Sequence, residues 1–420
     1  MTDTSPHRRV RDIDVVVYGA TGFVGALVAR HLAQTAPEGI RIALAGRNET
    51  KLADVRGSLG ERARAWPLLI ADADDRPALE NIAGSAQVVI TTVGPYAKYG
   101  RNLVAACARA GTDYVDLCGE ALFVRESIDA NHEQASSTGA RIVHACGFDS
   151  IPSDINVHNL YERIRADGAG EMTETTSVLT AVSGGVSGGT IDSVRQQVDT
   201  MKKDRGARRL AMDPYTLSPD RTAEPELGRQ SDLFLARGRT VGTTLGGTLA
   251  PFPMAPFNNR IVRRSAALRG HAYGGRFRYR EAMSVGRSPL SALLAAGVAG
   301  VMGAVVTGLA LPPTRYLLDK ALPKPGDGPS SRTREKGHFT FDTFTVTTTG
   351  ARYAARFKAK GDPGYSATAV MLGESALALL LDRAALPAAS GGVLTPATGI
   401  GDALADRLRA TGMTLAVRAV

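Results

Sequence analysis

Two kinds of apolar pattern alternate along the first third of the chain. Short β-branched runs begin with Ile13–Tyr18, and each is followed by a longer segment with apolar residues at helical spacing, the first ending near Gln34. Five further runs predict strands at RIALAGR, WPLLIAD, QVVITTVGPY, DYVDLCGE and RIVHACGF, with helices near 50–59, 76–83, 99–110 and 122–138. This alternation predicts an α/β fold with a Rossmann-type, doubly wound parallel sheet over residues 13–150.

The pattern changes after residue 150. A helix is predicted near 153–165, and TETTSVLTAVSGGVSGGTIDSVRQQVDTMKK predicts a strand, a glycine-rich loop and a helix. HFTFDTFTVTTTGARYAARFKAKG alternates with a period of two around Gly350, which predicts an antiparallel hairpin. We therefore expect a second, α+β domain with a mixed or antiparallel sheet over 151–390. Residues 391–420 are expected to pack back on the first domain, and residues 1–12 to form a disordered lead-in.

An uncharged run, SPLSALLAAGVAGVMGAVVTGLALPP, covers residues 288–313 and is long enough to cross a bilayer. Its leucines and valines contribute only roughly −3 to −5 kcal/mol to insertion. Spanning would also place the flanking parts of one folded domain on opposite sides of the membrane. We therefore predict a helix that contacts lipid peripherally, or one that is buried or forms a dimer, since its small residues permit close helix approach.

Composition and charge narrow the function classes. The formal charge is +9 and the pI about 9.6, but the arginines are dispersed and no nucleic-acid-binding motif accompanies them. They favour weak attraction to anionic lipid, phosphopantetheine or an acidic carrier protein, or else form a solvated face. Cys107, Cys118 and Cys146 are too few and too scattered for a disulfide framework or a metal site, which predicts reduced thiols, a cytoplasmic location and no metal.

The strongest chemical signal is the glycine-rich turn after the first strand. Gly19 permits a tight turn, Gly22 lets backbone approach a pyrophosphate, and Gly25 allows close helix–strand packing. The second strand ends in Gly46 and Arg47 rather than in an acidic residue, which predicts NADP(H), because arginine matches the 2′-phosphate. The other predicted cofactor contacts are Ala20, Thr21, Phe23, Asp72 at the adenine, and Gly94 and Pro95 beside the nicotinamide ribose.

Several motifs together resemble the saccharopine-dehydrogenase-like oxidoreductases, and within them the actinobacterial trans-acting enoyl reductases. They are YGATGFVG, ALAGR, TTVGPY, GTDYVDLCGE, CGFDSIPSD and GVLTPATGIGDALADRLRATG. The resemblance implies a separate enzyme that supplies a reduction for a modular polyketide synthase in phthiocerol-type lipid synthesis. Its substrate would be an acyl thioester, which a carrier domain of the synthase could hold. The resemblance transfers cofactor roles to Gly19, Thr21, Gly22, Gly25 and Arg47, and it transfers no catalytic residue.

Three residues are candidates for the reacting centre. Tyr96 follows the Gly94–Pro95 turn, and Asp149 and Ser150 follow the sixth strand. Reduction of an enoyl thioester needs a donor at the developing enolate oxygen and a proton for the α-carbon. Tyr96 could instead pack as an ordinary aromatic, and Ser150 or Ser153 could cap the following helix.

Two other functions are compatible with the sequence. One is a saccharopine-type amino-acid or imine dehydrogenase, although its substrate needs several charged partners and this chain offers a large apolar run. The other is a non-enzymatic NADP-binding protein that docks on membranes.

Overall fold

The computed structural model describes residues 11–184, 188–310, 336–389 and 391–420. The predicted lead-in therefore lies almost wholly outside the described residues, and so do residues 311–313 of the apolar run.

The strands of the described residues are, in chain order, β1 (Ile13–Tyr18), β2 (Ile42–Gly46), β3 (Leu68–Ile70), β4 (Ala86–Thr91), β5 (Asp113–Asp116), β6 (Arg141–Val143), β7 (Met172–Ser183), β8 (Ala236–Arg237), β9 (Thr248–Pro251), β10 (Arg278–Ser284), β11 (His338–Thr347), β12 (Arg352–Lys360), β13 (Gly392–Leu394) and β14 (Thr414–Ala419).

The α-helices of the same residues are α1 (Phe23–Thr35), α2 (Glu49–Ser58), α3 (Arg76–Ser85), α4 (Tyr96–Tyr99), α5 (Arg101–Ala110), α6 (Ala121–Thr138), α7 (Ile151–Ala166), α8 (Gly188–Lys203), α9 (Arg205–Met212), α10 (Gly238–Val241), α11 (Ala255–Leu268), α12 (Ser291–Ala310), α13 (Ser366–Leu381), α14 (Pro396–Gly399) and α15 (Asp402–Ala410).

The first sheet is parallel throughout, in the order β3-β2-β1-β4-β5-β6-β13. Its first six strands have the Rossmann order, which confirms the predicted fold class. Val15, Val16 and Val17 of the central strand are all fully buried, because helices cover both faces of the sheet. A parallel sheet of this kind gives continuous rather than alternating apolar runs, as the sequence shows.

The second sheet is mixed, in the order β14-β12-β11-β7-β10-β9-β8. Only β7 and β10 pair in parallel, and the other neighbours are antiparallel. The predicted hairpin is present as β11 and β12, with Phe341 opposite Phe357. Phe339, Phe341 and Phe357 are fully buried, so the period-two pattern marks the core face of this sheet.

The C-terminal part of the chain contributes to both sheets. Helix α13, which the sequence assigned to the second domain, packs against α1 and β4 of the first sheet. Strand β13 extends the first sheet, whereas β14 pairs with β12 of the second. The terminal segment therefore packs on both domains rather than on the first alone, since its short apolar runs do not specify which sheet edge they join.

The apolar run forms helix α12, as predicted. Among the residues that the structure describes, none of the helices has both the length and the apolar character needed to cross a membrane.

Candidate active site

The glycine turn after β1 is closed by direct backbone packing. Gly19 has φ +86°, a conformation that favours glycine, and its carbonyl oxygen accepts a hydrogen bond from Thr92 Oγ1 at 3.2 Å. A Cβ atom on Gly25 would overlap that carbonyl oxygen and stand 2.8 Å from Thr92 Oγ1. Gly19 and Gly25 are thus needed for the turn itself, whether or not a cofactor is bound.

Gly22 is different, because its open side faces solvent. It is exposed and has φ −75°, which any residue can adopt. A Cβ atom there would meet only the Gly19 carbonyl oxygen, at 3.2 Å. Helix α1 begins here without a side-chain cap and without an acidic residue in its first turn. An exposed, uncapped helix N-terminus next to a glycine fits the pyrophosphate of a dinucleotide.

The predicted adenosine contacts lie beside this turn. A Cβ atom on Gly46 would stand 3.9 Å from Thr21 Oγ1, and the exposed Arg47 follows directly. Burial, and then the charge of Asp72, raises the pKa of Tyr18 to about 12, while nearby Arg47 acts in the opposite direction. The ends of β1, β2 and β3 therefore bring Arg47 and Asp72 close to one another and to the glycine turn.

A buried carboxylate holds the Gly94–Pro95 turn. Glu120 accepts hydrogen bonds from the backbone N–H of Tyr96 at 2.8 Å and of Ala97 at 2.9 Å. The hydroxyl of Ser193, on α8, donates to the same carboxylate at 2.8 Å. Sequence reasoning did not select Glu120, although its place just after β5, at the carboxyl edge of the sheet, was a usable signal.

Tyr96 is buried, with 3% of its surface exposed. Its hydroxyl donates to the Thr91 carbonyl at 3.3 Å and accepts from the Leu117 N–H at 3.4 Å. Its ring packs against Phe123, with the ring centroids 5.9 Å apart. This geometry favours the alternative that Tyr96 packs as a core aromatic, since its hydroxyl lies between β4 and β5 rather than at the surface of the cleft.

Ser150 and Ser153 do not cap helix α7 through their side chains. Ser150 occupies the N-cap position, but its hydroxyl donates to Asn258 Oδ1 at 3.0 Å. The Ser153 hydroxyl donates to Glu281 Oε1 at 2.5 Å, and burial raises the pKa of Glu281 to about 7. The capping interpretation is wrong for both, because the Ser150 hydroxyl accepts no hydrogen bond from the first turn of α7 and Ser153 lies inside the helix.

Asp149 is the candidate that remains available at the edge of the sheet. It is half-buried, and its Oδ2 lies 3.5 Å from where a Cβ atom on Gly119 would stand, a position also 3.8 Å from Met254 Cε. Burial raises the pKa of Asp149 to about 6. Within the described ranges its carboxyl has no hydrogen-bonding or ionic partner. A carboxyl of this kind can be protonated near neutral pH and can donate a proton.

Comparison with known proteins places this site in a family. Residues 15–143 match the family described as "Saccharopine dehydrogenase NADP binding domain". A protein named trans-acting enoyl reductase from Mycobacterium tuberculosis (H37Rv) is 52% identical over 413 residues, 96% of this chain and 97% of its own. This chain belongs to the saccharopine-dehydrogenase-like family, in its trans-acting enoyl reductase branch.

Other relatives agree with that membership. A second M. tuberculosis (H37Rv) protein, provisionally assigned the same activity, is 55% identical over 412 residues. It too covers 96% of this chain and 97% of its own length. Saccharopine dehydrogenase (L-Glu forming) from Saccharomyces cerevisiae superposes with a TM-score of 0.52 over 97% of this chain and all of its own, at 13% identity. That likeness shows a shared fold. The match to the family's NADP-binding domain shows, separately, that this reductase is an NADP-dependent oxidoreductase.

The position of Arg47 makes a first prediction about this reductase. Arg47→Asp is expected to weaken NADPH binding by about 1.5–3 kcal/mol, the scale of one hydrogen bond to a charged group, and to leave NADH binding nearly unchanged. Fluorescence titration with both cofactors measures this. Equal affinity of the unsubstituted protein for NADPH and NADH would show that Arg47 does not read the 2′-phosphate.

Proposed function

We propose that this chain reduces the carbon–carbon double bond of a 2-enoyl thioester, an intermediate in the synthesis of a polyketide-derived or fatty-acyl lipid. The observation that carries the proposal is Asp149, a carboxyl with a raised pKa and no partner among the described residues, at the carboxyl edge of an NADP-binding sheet. The names of the relatives support the same reaction.

The cofactor-binding residues are proposed as the sequence predicts them. The turn of Gly19, Ala20, Thr21, Gly22, Phe23 and Gly25 would hold the pyrophosphate, Gly46, Arg47 and Asp72 the adenosine, and Gly94 and Pro95 the nicotinamide ribose. When bound, NADPH supplies a hydride to the β-carbon. The open face of Gly22 and the uncapped start of α1 support this arrangement.

In the proposed reaction, Asp149 in its protonated form donates a proton to the α-carbon of the thioester. Met254 Cε and the Asp149 carboxyl lie on the same side of Gly119, and the half-buried Phe148 packs edge-on against Phe339 with ring centroids 4.8 Å apart. Apolar neighbours of this kind both raise the pKa of the carboxyl and suit an acyl chain. Glu120 is a positioning residue that fixes the Gly94–Pro95 turn, and Tyr96 and Ser150 support the same edge from the core.

The acyl group is proposed to arrive on a carrier domain of a polyketide synthase. Helix α8 reaches the site through Ser193 and through Gln197, whose side chain donates to the Gly119 carbonyl at 3.4 Å. A basic surface begins about 14 Å beyond Ser193 along the helix axis. Its residues are all exposed: Lys202, Lys203, Arg205, Arg208 and Arg209. This surface is complementary to an acidic carrier domain.

The enzyme is proposed to work in the cytoplasm, with peripheral contact at the inner face of the plasma membrane. Helix α12 is the proposed contact, because its apolar residues are exposed. A homodimer formed through α12 is the competing proposal for the same surface.

The reaction is tested by following NADPH oxidation with three kinds of substrate. We expect turnover of a 2-enoyl thioester on coenzyme A, a lower KM for the same acyl group on a carrier domain, and none with imines of amino dicarboxylates. Turnover of the dicarboxylates alone would favour a saccharopine-type dehydrogenase. Tight NADPH binding without turnover of any substrate would favour a non-enzymatic NADP-binding protein.

A further inference from the structure

The exposed surface of helix α12 is apolar, unlike that of an ordinary surface helix. Residues 291–310 include no charged side chain. Leu293 is 72% exposed, Leu294 51% and Val301 63%, and Leu290, just before the helix, is 65% exposed. Amphipathic helices on globular proteins direct their polar side to water, so this helix needs an apolar partner.

These side chains form one continuous stripe. Positions 290, 293, 294, 297, 301 and 304 follow helical spacing, and the residues at all six are exposed. The opposite side holds the helix to the protein at its first turns, where Ser291 and Ala295 are buried and Ser291 Oγ accepts a hydrogen bond from the Thr248 N–H at 2.9 Å. The helix is therefore fixed at its start, with its apolar stripe directed away from the protein.

Arginines surround the fixed end of the helix. Arg237 and Arg239 lie on β8 and α10, next to β9, and Arg287 precedes the helix and donates to the Thr244 carbonyl at 3.3 Å. All three are exposed. We call these three residues the arginine collar. The two segments that carry the collar and the helix, 233–251 and 284–310, contain no aspartate or glutamate.

We propose that α12 inserts into one leaflet of an anionic lipid bilayer, and that the arginine collar binds the lipid phosphates. The stripe provides the apolar contact, and the collar places positive charge at the level of the head groups. A second copy of the chain would bring the same arginines to the interface, and these segments have no acidic residue to pair with them. Charge therefore favours anionic lipid over a second copy as the partner. The proposal rests on the peripheral contact proposed above but not on the reaction.

Vesicle flotation without substrate tests this separately from catalysis. The full chain is mixed with vesicles of phosphatidylcholine alone or with phosphatidylglycerol added. We expect binding to the anionic vesicles and much weaker binding to the neutral ones. Leu293→Asp with Val301→Asp should reduce binding to anionic vesicles at least tenfold, and Arg237→Glu with Arg239→Glu should reduce it roughly tenfold.

Two matched controls separate this surface from general hydrophobicity and charge. Met212→Asp replaces another apolar side chain, 68% exposed, on α9. Arg352→Glu with Lys358→Glu reverses two exposed charges on β12. Neither should change vesicle binding, and NADPH titration confirms that each variant is folded.

Three results would overturn the proposal. Equal binding to neutral and anionic vesicles would show that the arginine collar does not bind lipid phosphates. A dimer in sedimentation analysis that Leu293→Asp dissociates, with no vesicle binding by the unsubstituted chain, would assign the stripe to a second copy. Retention of the chain in cell membranes after carbonate extraction, with the C-terminus open to protease only from the outer face, would show that the helix spans.

Discussion

Asp149→Asn is expected to lower kcat for a soluble 2-enoyl thioester by about 100- to 10,000-fold, the usual contribution of a positioned general acid. The amide has nearly the shape of the acid but cannot donate an acidic proton to carbon. NADPH affinity should be unchanged, because Asp149 lies beside Gly119 and Met254 rather than at the glycine turn. Steady-state kinetics and cofactor titration on the same preparation measure both quantities.

The role of Asp149 as a proton donor also predicts how kcat changes with pH. Burial raises the pKa of Asp149 to about 6, so the protonated donor is the main form below that pH. Above it, kcat should fall about tenfold for each pH unit as the proton is lost. The residual rate of Asp149→Asn should lack that decline.

A comparison with Ser150→Ala makes the assignment specific. The Ser150 hydroxyl is fully buried and donates to Asn258, so its loss should lower thermal stability while most of kcat remains. If Asp149→Asn retained most of kcat and Ser150→Ala did not, the proton donor would have to be sought near Ser150, where Asn258 donates a hydrogen bond to Glu281.

Gly22→Val is expected to abolish NADPH binding and to leave the protein folded. The backbone of Gly22 can accept a side chain after a shift of a few tenths of an ångström, because φ is −75° and a built Cβ is close only to the Gly19 carbonyl oxygen, at 3.2 Å. The same side chain would occupy the place where the pyrophosphate must approach the helix. Circular dichroism with fluorescence titration should show a native spectrum and no saturable binding.

Gly25→Ala is the matched variant at the same turn. Its Cβ would overlap the Gly19 carbonyl oxygen within the folded protein, so we expect lower thermal stability even in the absence of cofactor. Retained NADPH binding by Gly22→Val would mean that the glycine at 22 is only structural. An undiminished Tm for Gly25→Ala would contradict the packing at the turn.

The first sheet could be predicted because its signals are local. Each buried strand is a continuous β-branched run, and each strand end is marked by a glycine or a charged residue, as at Gly19, Arg47 and Asp72. Since the carboxyl ends of parallel strands meet at one edge, strand order alone placed the proposed cofactor residues together.

The directions in which the side chains at that edge point could not be predicted from the neighbouring sequence. Tyr96, Asp149 and Ser150 all follow strands, yet the structure buries the hydroxyls of Tyr96 and Ser150 and leaves the Asp149 carboxyl without a partner in the described chain. The reason is that each hydroxyl has a partner that is distant in sequence. Leu117 is 21 residues from Tyr96, and Asn258 is 108 residues from Ser150.

The sequence by itself determined the Rossmann-type sheet, the glycine turn, NADP(H) as the cofactor and the existence of an apolar helix, because each depends on residues within one short segment. The tertiary structure decided which polar groups are satisfied, that Glu120 fixes the Gly94–Pro95 turn, that β14 joins the second sheet, and that the apolar stripe of α12 is exposed. Those properties depend on which residues are close in space. A residue that buries another, or forms a hydrogen bond with it, from a distant part of the sequence cannot be predicted from the local pattern.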